Sequence, residues 1–388
     1  MVKTKVKILF LIASFCLASQ MGKAQDISIL DTLQKHQVEE DELYKNGLFR
    51  TQLIRKNGKY FPEDNNVFFT ALIAYSLQEL IPYFNAKDKQ KAENIILKAK
   101  QAYPFYSNRN GGVTYNFYQT NPEMPFPAAP LFSNNLLPDD LDDTAIIYLS
   151  LLDEFDLFNH LFKLINEQSL KHQHVKSTLK QYQNSKAYRT WFANKMKQDL
   201  DICVISNVML LGAKLERKPD SIAKASLSFI NSVIQEELHD TKPHLVSPHY
   251  QSTTVILYHL ARLLEAGYYQ EISQLREIII DDLYFQLKIA ESSVDQIILL
   301  TSLIRLNEQI AFEIDLEDFE NDIKTYAWFK GNPFTGSALF WKKLTGKNRL
   351  LQYKHRSIPY YWMLLLELKT MSKASFTQSD DGIKLVNN

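Results

Sequence analysis

Apolar residues recur along most of this chain at the period of an α-helix. Over 67–80, Phe68, Phe69, Leu72, Ile73, Tyr75 and Leu80 follow that period, and Asp64, Asn65 and Asn66 precede it as candidate caps. Comparable apolar runs begin near Thr144, Ile202, Thr253, Asp295 and Pro359. Between them lie more polar, amphipathic stretches over 87–102, 159–182, 221–237 and 269–288. A helix apolar on nearly every side has to lie inside, and a helix with one polar face can cover it. The alternation therefore predicts an all-α chain built from helix pairs. Closed on themselves, such pairs make a single α/α toroid with inner helices around a central cavity; left open, they make a solenoid. The expected fold is the toroid, with about six helix pairs over 25–372.

Residues 103–138 interrupt the pattern. Asn110-Gly111-Gly112 leads into a strand-like alternation over 113–118, and Pro122, Pro125, Pro127 and Pro130 follow. About thirty-five residues without a helix is long for a connection. The expectation is an irregular loop or hairpin over one mouth of the toroid; the other reading is a linker between two domains. The polar stretch 373–388 is expected as a flexible tail.

The first residues differ from the rest. Lys3, Lys5 and Lys7 make a basic start, an apolar run covers 8–18, and Gly22-Lys23-Ala24 offers small residues two apart. This is the pattern of a secretory signal peptide over 1–24, too short in its apolar part to span a bilayer comfortably; the other reading is an uncleaved anchor. Export places the protein in the periplasm or outside the cell. Loss of Lys3, Lys5, Lys7 and Lys23 moves the formal charge from +0 to about −4. With no basic stripe, bulk charge argues against nucleic acid as a partner. Of the 2 cysteines, Cys203 is the one left after cleavage, so no internal disulfide forms and stability rests on the core. An apolar content of 45% suits such a core. Cys203 stands among Ile202, Val204 and Ile205, which reads as a buried small residue rather than a nucleophile.

The chemistry concentrates in Asp139-Asp140-Leu141-Asp142-Asp143, directly before the apolar run that starts at Ala145. Three readings fit. Asp140 or Asp142 caps a helix whose positive end the other acids face. The DDxxD spelling could hold magnesium, although the nearest second motif, at Asn321-Asp322-Ile323-Lys324-Thr325, has Phe329 where a further acid is needed. Crowded, half-buried carboxyls could also raise one another's proton affinity, keeping one acid protonated at neutral pH.

Asp140-Leu141-Asp142-Asp143-Thr144-Ala145 spells D-x-D-D-T-A, and here the chain resembles the squalene–hopene cyclase and prenyltransferase-like superfamily of α/α toroids. The stretches from Asn66 to Leu72, from Asp201 to Leu210, and Ser247-Pro248-His249-Tyr250 are similar to inner-helix starts of single-toroid bacterial relatives of uncertain activity. The likeness spans roughly residues 60–370. It implies acid-initiated cyclisation of an isoprenoid with no metal and no cofactor. Asp142 would protonate an alkene or epoxide, Asp140 and Asp143 would tune it, and His249 and Asp139 would assist. Aromatic faces stabilise a carbocation, and Trp328, Trp341, Tyr361 and Trp362 are the candidate cavity aromatics.

Two further function classes stay open. α/α toroids also host carbohydrate-active enzymes, in which the acidic stretch would face a distant carboxylate such as Asp201 or Asp295 across a glycan. A non-catalytic binding or scaffold protein would use the acids only as caps. His172-Gln173-His174 could suggest metal binding, but it lies in a Lys- and Gln-rich, solvated segment and reads as surface. The expected partner is a small apolar, isoprenoid ligand or a glycan. Contact with a membrane surface and the oligomeric state are left open by the sequence.

Overall fold

The computed structural model describes residues 28–39, 41–55, 58–123, 136–152, 158–171, 174–193, 196–331, 352–376 and 384–386. The expected signal peptide, Trp341 and residues 124–135 of the irregular stretch lie outside the described residues. The helices in chain order are α1 (Ile29–His36), α2 (Phe68–Leu80), α3 (Ala86–Ala102), α4 (Leu141–Leu149), α5 (Phe158–Lys171), α6 (Ile202–Lys214) and α7 (Ser221–Gln235). After them come the short α8 (Leu238–Thr241) and α9 (Pro243–Val246), then α10 (Thr253–Glu265), α11 (Arg276–Ile289), α12 (Ser293–Arg305), α13 (Leu316–Asp322) and α14 (Ile358–Phe376).

Burial separates these helices into two classes. All of α4 is buried, α2 exposes part of Gln78 and Glu79, and α6 is buried from Ile202 to Ala213. α10 and α12 are buried over most of their length. By contrast α3 buries one stripe, Ala92, Ile95, Ile96, Ala99 and Ala102, and α11 buries Ile279, Ile280 and Leu283. A helix of 9 residues such as α4 is too short to persist alone, so packing holds it. Packing among the apolar helices runs from α2 to α4, α6, α10, α12 and α14, and α14 returns to α2. The amphipathic helices cover them: α3 on α2, α7 on α6, α11 on α10 and α12, α13 on α12, and α1 on α14 and α3.

The expectation of an all-α chain is corrected by a small sheet. β1 (Thr51–Leu53), β2 (Glu63–Asp64), β3 (Glu313–Asp315), β4 (Phe329–Gly331), β5 (Tyr353–Arg356) and β6 (Lys384–Val386) are each too short to show an alternation. Four of them form an antiparallel sheet in the order β2-β1-β5-β4, with Gln52 opposite Arg356 and Phe329 opposite His355. This sheet ties the segment before α2 to the segment before α14. β6, inside the stretch expected as a tail, runs parallel to β3.

Two local expectations also change. The alternation over 113–118 forms no strand; single bridges join Tyr115 to Ser107 and Asp140 instead. The helix expected over 159–182 ends at Lys171, and the chain reaches α6 through an irregular stretch with one tight turn at Lys180–Tyr182. Both irregular stretches flank the start of α4. Leu141 N–H donates to Thr190 O at 2.8 Å, and Asp140 N–H donates to Tyr115 O at 3.2 Å.

Gly47 shows how closely the cover packs. Its φ is +91°, and a Cβ there would lie 1.9 Å from the carbonyl oxygen of Lys98 in α3. Gly47→Ala is expected to destabilise the protein by at least about 2 kcal/mol, since both the backbone conformation and the space are denied. Urea unfolding checks this; an unchanged midpoint would show that the turn relaxes freely.

Candidate functional site

The start of α4 is built by its own acids. Asp140 is the N-cap, and its Oδ1 accepts N–H bonds from Asp142 at 2.9 Å and Asp143 at 2.8 Å. Asp139 is held on the other side. Its carboxylate accepts from Asn108 Nδ2 (2.5 Å), Thr114 Oγ1 (2.6 Å) and Asn116 Nδ2 (3.2 Å), three groups of the irregular loop. Asp139 and Asp140 are thus spent on loop anchoring and capping. Among the described residues no group of His, Cys, Asp and Glu side chains is arranged to hold a metal ion.

Asp142 reaches across to two other helices. Asn207 Nδ2, in the second turn of α6, donates to its Oδ1 at 2.8 Å, and the Tyr250 hydroxyl, just before α10, donates to its Oδ2. Burial pushes Asp142 up to about 7; the charges of Asp140 and Asp201 add to this, while the bonds from Tyr250 and Asn207 oppose it. Burial raises Asp143 well above the usual carboxylate range, and the Asp140 charge and hydrogen bond raise it further. Asp140 is also raised by burial, against the opposing bond from the Asp143 side chain. The hydrogen bond between the two side chains raises the proton affinity of Asp143 and lowers that of Asp140. Asp143 Oδ1 is buried and has no hydrogen-bond partner. Burial thus pushes Asp142 toward neutrality, and the proton affinity of its neighbour Asp143 is raised as well.

His249 belongs to an adjoining layer. Its Nε2 lies 3.0 Å from Asp199 Oδ2, and its backbone N–H donates to Asp201 Oδ2 at 2.9 Å. Asp201 caps α6 and accepts Ser247 Oγ at 2.8 Å; burial raises its proton affinity, and the charge of His249 holds it down. The His249 ring meets Trp191 edge-on at 5.6 Å. No direct bond joins His249 to Asp142; its negative neighbours are Asp199, Asp201 and, more distantly, Asp140.

A second carboxylate–histidine pair lies at the start of α2. His355 Nδ1 is 3.0 Å from Asp64 Oδ2, which also accepts Asn66 Nδ2 at 2.7 Å. Burial would raise Asp64, but the charge and bond of His355 outweigh it and hold the carboxyl low. An aromatic layer joins the two regions: Phe329 lies 4.7 Å from Phe68, 4.8 Å from Tyr250 and 6.0 Å from both Phe117 and His355.

The expected cavity aromatics divide. Trp328 packs inside against Tyr258, His259 and Tyr360. Tyr361 turns instead to Tyr326, and Trp362 to Phe319 of α13. On α14 successive side chains point about 100° apart, so Tyr360 meets Trp328 while Tyr361 and Trp362, also buried, pack against other partners. Tyr250, Asn207, Asp199 and Phe329 were missed as site residues. Asn207 did carry a signal: a lone amide inside the apolar run of α6.

The arrangement can store a proton at Asp143 and exchange one at Asp142. Folding raises Asp142 from 3.8 to about 7, so folding takes up a proton. The stability this supplies is complete below about pH 4 and is lost as pH rises through about 7. Wild type is expected to lose stability between about pH 5 and 8, and Asp142→Asn to flatten that fall, by up to about 4 kcal/mol over the whole window. Urea unfolding across that range checks it, and parallel curves for the two proteins would refute it. No protein-family model, no curated protein and no solved structure matches this chain.

Proposed function

We propose that the protein is an acid catalyst built on a single α/α toroid, acting on an apolar isoprenoid. The toroid reading rests on the return of α14 to α2, which makes the inner helices a closed cycle. The catalytic reading rests on the placement of Asp142, a buried carboxyl held by Tyr250 and Asn207 and pushed up to about 7, beside Asp143, whose proton affinity is raised as well. A general acid works best with a pKa near the working pH. In the proposed step the Asp142 proton forms a new C–H bond with the π electrons of a substrate alkene, leaving Asp142 as carboxylate. The cation closes a ring through a second double bond, and loss of a proton returns the acid to its starting state. Asp143 and Asp140 set the proton affinity, and Tyr250 and Asn207 orient the acid. The faces of Phe68, Phe117, Phe329 and Tyr250 supply the electron density a cation needs. No described helix is long and apolar enough to cross a membrane. Export through residues 1–24, and a site of action in the periplasm or outside the cell, belong to the same proposal and rest on the basic and apolar pattern of the N-terminus.

The scaffold reading has an observation of its own. Phe68, Tyr250, His259, Trp328 and Tyr360 pack against one another between the inner helices and are all buried. The glycan reading is weaker, because Asp201 is engaged in capping α6 and Asp295 in accepting the Tyr326 hydroxyl.

Purified protein incubated with squalene, farnesol or geranylgeraniol in detergent is expected to give cyclic products detectable by mass spectrometry. Asp142→Asn is expected to lower turnover by at least about 100-fold, and wild-type turnover to fall as pH rises above about 7. Absence of product with every substrate, or equal turnover by the variant, leaves the scaffold reading standing.

A further inference from the structure

Beyond Tyr250, on the side away from Asp142, lies a second polar cluster that the acid chemistry does not use. The Tyr250 ring packs on His259 at 4.9 Å, and His259 packs on Trp328 at 6.1 Å. Arg262, one turn along α10 from His259, stacks on the rings of Tyr75 (4.8 Å) and Tyr258 (5.5 Å). Four polar atoms here are buried without a hydrogen-bond partner: Arg262 Nη2, Trp328 Nε1, His259 Nε2 and the hydroxyl of Tyr360, which packs on Trp328 at 4.9 Å. Buried polar groups are normally paired, and four exceptions in one contact cluster call for a common explanation.

Their chemistry is complementary. Arg262 and Trp328 can only donate. His259 Nδ1 lies 2.8 Å from the Val255 carbonyl and so carries the ring's hydrogen, which leaves Nε2 as an acceptor. Burial, with the Arg262 charge adding to it, holds His259 down to about 3, so the ring is neutral. Charge points the same way. Among the described residues no carboxylate pairs with Arg262, and nearby Arg305 already takes both Glu367 and Glu265. A guanidinium cannot shed its proton, and a buried charge without a counter-ion is costly. Water could fill the hydrogen bonds but not the charge.

We propose that Arg262, Trp328 and His259 bind a small oxyanion carrying one O–H group, of the bicarbonate type. Its oxygens accept from the guanidinium and the indole N–H, and its O–H donates to His259 Nε2. Binding here does not depend on acid catalysis at Asp142, and its test reads no turnover.

The whole protein is unfolded thermally in increasing bicarbonate, formate or chloride at constant ionic strength and pH, and 13C-labelled bicarbonate is followed by NMR. Bicarbonate is expected to raise the midpoint saturably and more than formate or chloride, neither of which can donate to His259. Arg262→Gln is expected to abolish the response. Trp328→Phe, which keeps an aromatic ring and removes one donor, is expected to raise Kd about tenfold; it carries the test if the arginine variant fails to fold. Equal responses to bicarbonate and chloride overturn the proposal. So does an undiminished response in Trp328→Phe, or a crystal grown in bicarbonate that shows only water at the three atoms.

Discussion

A carboxyl taken out of water must be held by donors, by opposite charge or by a proton, and this interior uses all three. Asp140 and Asp201 are held by backbone N–H groups at the starts of α4 and α6. Asp64 is held by His355, and Glu367 by Arg305 and the Tyr258 hydroxyl. Asp143, with the Asp140 carboxyl beside it, has its proton affinity raised. Asp142 lies between these cases, with donors on both oxygens and negative neighbours on α4 and α6. Its balance near neutrality follows from that competition.

The same constraint organises the chain around the site. α4 is short and wholly buried, so the segments that satisfy its first turn also hold its position. Asp139 gathers Asn108, Thr114 and Asn116, which keeps the irregular loop against the helix start without a regular strand. On the far side Thr190 and Asp199 bring the stretch before α6 into the same layer. The sheet then carries His355 and Phe329 across from the C-terminal part of the chain. His249 O accepts Lys330 N–H at 3.1 Å, which fastens this strand to the segment before α10. At the opposite ends of the helices the devices are ionic: Lys214 of α6 meets Glu79 of α2 at 2.7 Å, and Arg305 of α12 meets Glu265 of α10.

The legibility of the site depended on how far apart its members stand in the chain. Asp139, Asp140, Asp142 and Asp143 are contiguous, so their crowding could be read directly, as could the capping role of one of them. The partners that decide what the crowding does come from elsewhere: Asn207 is 65 residues from Asp142, and Tyr250 is 108. The aromatic residues show the same limit. Trp328, Tyr361 and Trp362 look alike as large apolar side chains and all are buried, yet rotation about the α14 axis gives Tyr361 and Trp362 other partners than Tyr360, which meets Trp328.

By itself the sequence determined the helical class, the division into apolar and amphipathic helices, the position of most of them, and the clustering of acids at one helix start. Those properties follow from local periodicity and capping, which neighbouring residues set together. The tertiary structure alone decided the sheet, the course of the two irregular stretches, the pairing of Asp142 with Asn207 and Tyr250, and the raised proton affinity of Asp143. Each of these depends on which distant groups replace water around a buried atom, and no local pattern encodes that exchange.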